Sequence, residues 1–290
     1  MKKIIILTPV YNDWESLLKL LNEINLVIND IKSYEFRCII VNDCSTLIKP
    51  KIIKPKNFQS LKIINMKINK GHARCNASGL RYINTNEDYD YVIVMDSDGE
   101  DRPIEIKDLI KKTDENPTSS TVAKRRKRSE GFFFQFLYRV HKFITLIFTG
   151  KNVNFGNYSC ITKQDVNILL DQASLWSSFS GSIKKNLRNL NEVNSDRGLR
   201  YFGPSKMSLT NLVLHSFSII AVFKYIVFFR STLAIVMLSF LIHQLGLISI
   251  TLQIFLVVFN LLIFLISLRE NYTELIKSAE NILDENEILH

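Results

Sequence analysis

Four carboxylates fall within six residues, at Asp96, Asp98, Glu100 and Asp101. Without a counter-ion they repel one another and raise each other's pKa, and such clusters commonly neutralise themselves with a cation. Hard oxygen donors favour Mg2+ or Mn2+ over softer metals, and Mg2+ is usually held by one or two carboxylates together with substrate phosphates. A solvated acidic turn leading into the helix that starts at Pro103 is the competing reading. Placement favours the metal, because an apolar strand, Tyr91 to Met95, delivers the cluster to a sheet edge, where open α/β sheets bind ligands.

Positive groups are segregated as well. Lys124-Arg125-Arg126-Lys127-Arg128 follows a strand-like Thr121–Ala123 and precedes an apolar, aromatic-rich stretch, 132–148, that carries Arg139. Arg197, Arg200 and Lys206 form a second group. Such groups can hold an anionic phosphate, or at Lys127 and Arg128 attract an anionic leaflet. No RNA- or DNA-binding module accompanies the basic run, so a nucleic-acid partner is not expected.

The elements that must position these groups alternate strand and helix, the pattern of an α/β domain with a mainly parallel sheet. Lys3–Thr8, Phe36–Val41, Leu61–Met66 and Tyr91–Met95 read as strands. Leu17, Leu18, Leu20, Leu21, Ile24 and Ile28 follow helical spacing, with Asn12 and Glu15 as a capping box, and Gly71 to Tyr82 is a second helix. Thr8 to Tyr11, Asn42-Asp43 and Asp96 to Asp101 all lie at strand carboxyl ends, so one crevice can collect them. Neither GxGxxG nor a P-loop pattern is present, which removes the main support for a dinucleotide or P-loop site.

The 290 residues are 47% hydrophobic and 11% aromatic, which excludes global disorder, and 10 Gly with 6 Pro exclude collagen-like chains. The near-zero mean hydropathy, +0.07, is an average over two solvents. Residues 231–268 carry no Asp, Glu, Lys or Arg. One straight helix of that length would measure about 57 Å, nearly twice a hydrocarbon core of about 30 Å, so two spans turning near His243, Gln244 and Gly246 fit better. A core hairpin of a soluble protein and a third span through 207–223 are the alternatives. Lys224 and Arg230 before the run and Arg269 after it place both ends in the cytoplasm. The reading is therefore a catalytic domain at 1–206, a membrane-interface helix at 207–230, a transmembrane hairpin at 231–268 and an acidic cytoplasmic tail at 269–290. The tail holds two basic and six acidic residues, so of the net +9 residues 1–230 carry +13. The short apolar run after Met1 ends at Thr8-Pro9 and does not direct export. Four scattered cysteines suit reduced thiols.

Thr8-Pro9-Val10-Tyr11-Asn12, Val41-Asn42-Asp43-Cys44-Ser45-Thr46, Asn69-Lys70-Gly71-His72-Ala73 and Met95-Asp96-Ser97-Asp98-Gly99-Glu100-Asp101-Arg102-Pro103 occur in the order and spacing of family 2 glycosyltransferases of GT-A fold. Within that family the chain looks most like the membrane-anchored dolichyl- and undecaprenyl-phosphate sugar transferases. Two departures stand out: Asn42 and Cys44 replace an acid and a glycine, and Glu100 stands where that branch often has Gln. The resemblance implies an inverting transfer from a nucleotide-diphosphate sugar, UDP- or GDP-linked. It implies that Pro9, Tyr11 and Asp13 line the nucleotide pocket, Asp43 reads the base, and Gly71 and Arg74 sit beside the donor. Asp96, Asp98 and Glu100 would hold Mg2+ or Mn2+ on the diphosphate, and Arg125, Arg139, Arg200 and Lys206 the acceptor phosphate.

If the acceptor is instead a hydroxyl of a glycan or lipid-linked sugar, a general base is required, and Asp101 is placed for it. A phosphate acceptor is already ionised and needs cations rather than a base. A processive polysaccharide synthase lacks its QxxRW-type motif here, and a non-enzymatic scaffold is disfavoured by the intact acidic cluster.

Overall fold

The computed structural model describes residues 1–127, 132–204 and 208–288. The chain runs β1 (Lys2–Val10), α1 (Trp14–Ile28), β2 (Tyr34–Asn42), β3 (Ser60–Met66), α2 (His72–Asn86), β4 (Tyr91–Val94), α3 (Ile106–Glu115), β5 (Thr121–Lys127), α4 (Phe132–Thr149) and β6 (Phe155–Thr162). It continues through α5 (Lys163–Leu170), α6 (Phe179–Asn186), β7 (Asn191–Asp196), α7 (Leu209–Ala221), α8 (Lys224–Phe240), α9 (Ile242–Leu245), α10 (Leu247–Ser267), α11 (Tyr272–Ile276) and β8 (Ile282–Glu287). One sheet takes all eight strands in the order β7-β5-β6-β4-β1-β2-β3-β8. β1 pairs in parallel with β2 and β4, β2 with β3, and β5 with β7, whereas the pairs of β6 and β8 are antiparallel.

Both faces of the sheet are covered, so β1 and β4 read as nearly unbroken Ile, Leu and Val. One core packs Ile5, Leu7, Ile39 and Val92 against α2 and Trp176; the other packs Ile4, Ile6, Ile40 and Ile93 against α1 and α3. Strand order reverses about β1, with β2 on one side and β4 on the other, which opens a crevice at their carboxyl ends.

The apolar segment near the C-terminus forms a helix pair, α8 and α10, that turns through α9 and Gly246 at φ +53°. α7 and α8 meet at 82° after Ala221, so residues 224–230, read from sequence as interface, begin the first helix of the pair. Among the described residues the run that starts at Leu247 is the one helix long and apolar enough to cross a membrane by itself, with a mean hydropathy of 2.5. Phe229, Met237, Phe240, Leu247 and Phe255 are exposed around the pair, an apolar surface that the rest of the described chain does not cover. α4 joins this layer: Phe148 meets Phe259 with ring centroids 4.4 Å apart, and Arg230 donates to the Ile147 carbonyl at 2.7 Å. The boundary expected at 206 is thus crossed by a segment from inside the catalytic domain.

Of the stretch 269–290, expected as an acidic tail, the described residues 269–288 are built into that domain. Leu275 is fully buried in the core beside α2, and β8 pairs antiparallel with β3 from Lys62–Glu287 to Met66–Ile282. β3 would otherwise be the outer strand, and an unpaired edge seeks a partner. Lys224 closes the base of the helix pair on Glu270 at 2.9 Å.

Candidate active site

Three strand ends meet in the crevice. Pro9 is buried within β1, opposite Val41, and Tyr11 stands half-exposed just beyond it. Asn12 adopts φ +51° and accepts from the backbone N–H groups of Thr46 and Leu47 at 2.8 and 2.9 Å. The expected capping box is therefore not formed; Asp13 precedes α1, and Asn12 ties the loop after β2 to the loop after β1. Asp43 is buried, and its two carboxylate oxygens accept from Lys70 N–H at 2.7 Å and Gly71 N–H at 2.9 Å. It thus orders the turn in which Gly71, at φ +87°, precedes α2, a helix whose first N–H groups have no side-chain cap. Uncapped N–H groups at a helix start favour an anion. Arg74 lies one turn into α2, its guanidinium 5.7 Å from the Trp176 ring and donating to the Lys70 carbonyl at 3.1 Å.

The acidic loop follows β4. Asp96 faces His72 Nε2 at 3.1 Å and accepts from the Asn157 amide at 3.2 Å. Asp98 accepts from Glu100 N–H at 3.0 Å and from Arg200 Nη1 at 2.7 Å, while the other terminal nitrogen of Arg200 binds Asp13. Glu100 pairs with Arg197. Asp101 is only 5% exposed and accepts from Asp96 N–H at 2.9 Å, so it shapes the loop from beneath. Above it, Gly198 N–H and Tyr201 N–H donate to the carbonyls of Glu100 and Asp98, both at 2.9 Å. A Cβ on Gly99, which has φ +89°, would come within 2.5 Å of the Tyr201 ring, so this position requires glycine.

Charge in this loop is incompletely relieved. Burial and then the charges of Asp96 and Glu100 raise Asp98 to about 6, with Arg200 opposing. Burial and then the Asp96 charge raise Asp101 to about 8, with Arg125 opposing. Burial would also raise Asp96, but the adjacent His72 outweighs it and holds the carboxyl well below the usual range. Burial lowers His72, and the Asp96 charge more than restores it. Among the described residues no three His, Cys, Asp or Glu side chains converge on one point as metal ligands, because Asp96, Asp98 and Glu100 each face a different cation. The expected three-carboxylate set is therefore not assembled. Asp96 and Asp98 as hard ligands, completed by substrate phosphates, are the set whose charge fits a divalent metal.

The two raised carboxyls fix the sign of a pH effect. Unfolded, both would ionise near 4, so between pH 4 and 8 the folded chain binds more protons, and stability falls as pH rises through 6 and then 8. Without divalent metal, the melting temperature is expected to drop from pH 5 to pH 8.5, and Mn2+ should raise it more at pH 8.5 than at pH 5. A metal-induced rise equal at both values would contradict the charge balance described here.

Of the expected acceptor cations, Arg200 bonds the loop directly at Asp98, and the charge of a second, Arg125, also reaches it. The Arg125 guanidinium crosses the backbone at Gly156, where an added Cβ would come within 2.3 Å of it, and its charge acts on both Asp96 and Asp101. Arg200, expected at the acceptor phosphate, bridges Asp98 and Asp13. Arg139 is exposed on α4, and Lys206 lies outside the described residues.

The geometry is that of a nucleotide-sugar transferase, and the comparisons agree. Residues 5–179 match the family profile described as glycosyl transferase family 2. The chain belongs to this family. Among solved structures, the transferase is similar to glucosyl-3-phosphoglycerate synthase from Mycobacterium tuberculosis in complex with Mn2+, UDP-glucose and phosphoglyceric acid, at TM-score 0.53 and 12% identity, covering 78% of this chain and 80% of that one. It is similar to mannosyl-3-phosphoglycerate synthase from Rubrobacter xylanophilus at TM-score 0.53 and 12% identity, covering 76% and 72%. The S. aureus TarS 1-349 structure matches at TM-score 0.44 and 16% identity, and this chain spans 65% of its length. The likenesses to the two synthases show the fold, GT-A with a mainly parallel sheet.

His72, Asn157 and Arg197 carry no role in the linear chain. His72 lies within one of the four motifs and Arg197 within a basic group, so both are visible as residue types. Their pairing with Asp96 and Glu100 arises only when distant segments meet. Asn157 is brought to Asp96 by the antiparallel pairing of β6 with β4.

Proposed function

We propose that the transferase moves a sugar, with inversion, from a UDP- or GDP-linked donor to a polyprenyl phosphate at the cytoplasmic face of a membrane. The observation that carries this reading is the junction of two surfaces. An acidic loop with unrelieved charge, flanked by Arg125, belongs to the same folded unit as an unpartnered apolar helix pair. A divalent metal bound at the loop would neutralise charge developing on the leaving diphosphate. Mn2+ and UDP-glucose in the mycobacterial synthase support a metal and a nucleotide-linked donor here.

The strand β8 supports two crossings rather than three. It hydrogen-bonds to β3, so the chain must leave the membrane on the side where it entered. Lys224, Arg230 and Arg269 near the open end, with no Lys or Arg at the turn, argue that this side is cytoplasmic. α7 and the exposed Phe143 of α4 would lie in the interface.

A hydroxyl acceptor is the second reading. Asp101, at about 8, titrates in a range useful to a general base, although its burial and its bond to Asp96 N–H count against that role. The test is transfer from labelled nucleotide sugars, with Mn2+, into membranes containing the full-length enzyme. An organic-extractable, mild-acid-labile product is expected, and Asp101→Asn should keep that activity within about tenfold, because the amide oxygen can still accept from Asp96 N–H. Transfer only to water-soluble glycans, lost by about 10²–10⁴-fold in Asp101→Asn, would establish the second reading instead.

A further inference from the structure

The chain that returns from the helix pair does not stop at the sheet edge. Glu274 on α11 accepts from Trp176 Nε1 at 3.1 Å and lies 3.5 Å from Lys70 Nζ. Six residues on, the Glu280 carbonyl accepts from Lys67 Nζ at 2.6 Å and the Asn281 carbonyl from Lys67 N–H at 2.7 Å. The return segment thus grips the loop 67–71 from one side while the Asp43 carboxylate grips Lys70 N–H and Gly71 N–H from the other. Trp176 is almost completely buried and is also the ring against which Arg74 lies.

We infer that the segment after the membrane hairpin is a working part of the donor site, and that Glu274 is a positioning residue within it. The inference rests on the proposed donor reading of Asp43, Gly71 and Arg74. The Glu274 carboxylate acts through Trp176 and Lys70. It sets the height of the loop that starts α2, through Lys70, and the orientation of the Trp176 ring under Arg74. Nucleotide binding therefore depends on chain that is reached only after both apolar helices have been made and docked.

Glu274 is 46% exposed, so its truncation leaves no cavity, and the fold should survive. The test is titration of the full-length protein in detergent with UDP and, separately, GDP, each with Mn2+, followed by steady-state transfer. Glu274→Ala is expected to weaken the bound nucleotide and raise donor KM together by about five- to tenfold, with kcat at saturating donor held within about twofold. Glu274→Gln keeps an oxygen for Trp176 Nε1 and should recover most of the affinity, and nucleotide-dependent Trp176 emission should return with it. Unchanged nucleotide affinity in Glu274→Ala, or a fall in kcat at constant KM, overturns the inference while leaving the transferase reading standing. A wild-type protein that binds neither nucleotide overturns the donor reading and this inference with it.

Discussion

Asp98→Asn is expected to reduce transfer by about 10³-fold or more, the scale seen when a group that stabilises transition-state charge is removed. The substitution is nearly isosteric, and its amide oxygen can still accept from Glu100 N–H, so the loop should keep its shape. What is lost is the charge that faces Arg200 in the structure and that would face a metal in the working enzyme. Mn2+ affinity should fall with activity, whichever acceptor is used. The variant should also lose the part of the pH-dependent destabilisation that develops between about pH 4 and 6, because the group whose ionisation causes it is gone. Normal transfer by this variant would remove the metal hypothesis.

Arg125→Gln should separate the two substrates. The guanidinium lies across Gly156 with its charge toward Asp96 and Asp101, on the β5–β6 side of β1, while Asp43 follows β2 on the other side. Loss of that charge should lower kcat/KM for the proposed lipid-phosphate acceptor by about 10²–10³-fold, the order expected when one partner of a desolvated charge contact is removed. Nucleotide affinity should move by less than about threefold, and slow hydrolysis of the donor by water should persist. Equal losses in nucleotide affinity and lipid transfer would assign Arg125 to the donor instead. Lysine is expected to restore only part of the activity, since it keeps the charge without the planar fork that grips phosphate.

The two variants address groups that differ in how visible they are before folding. Asp98 stands out in the linear chain because its neighbours share its charge and an apolar strand precedes it. Arg125 is one of five adjacent cations, and nothing in Lys124–Arg128 singles it out from residue type. Gly156, thirty-one residues later, provides the flat backbone over which its guanidinium passes.

Local regularities carry most of what is legible in sequence. Hydrophobic runs and helical spacing mark β1 to β4, α1 and α2 because burial on two faces, or on one stripe, demands those patterns. A charge-free run of 38 residues marks the apolar helix pair, and Gly246 its turn, because charges are costly in hydrocarbon and glycine tolerates φ +53°. The acidic loop is legible for the same reason: its residues are neighbours in the chain.

Tertiary structure alone decides which charges meet. His72 on Asp96, Arg197 on Glu100, Arg200 between Asp98 and Asp13, and Glu274 between Lys70 and Trp176 join segments far apart in sequence. β8 is the clearest case. Ile-Leu-Asp-Glu-Asn-Glu has neither alternation nor strand-forming composition, and as a local sequence it reads as a solvated tail. It becomes a strand because β3 presents an open edge and because Leu275, buried ahead of it, holds the chain in register. The energy that orders it lies in backbone pairing to a partner more than two hundred residues away, and no local pattern encodes that.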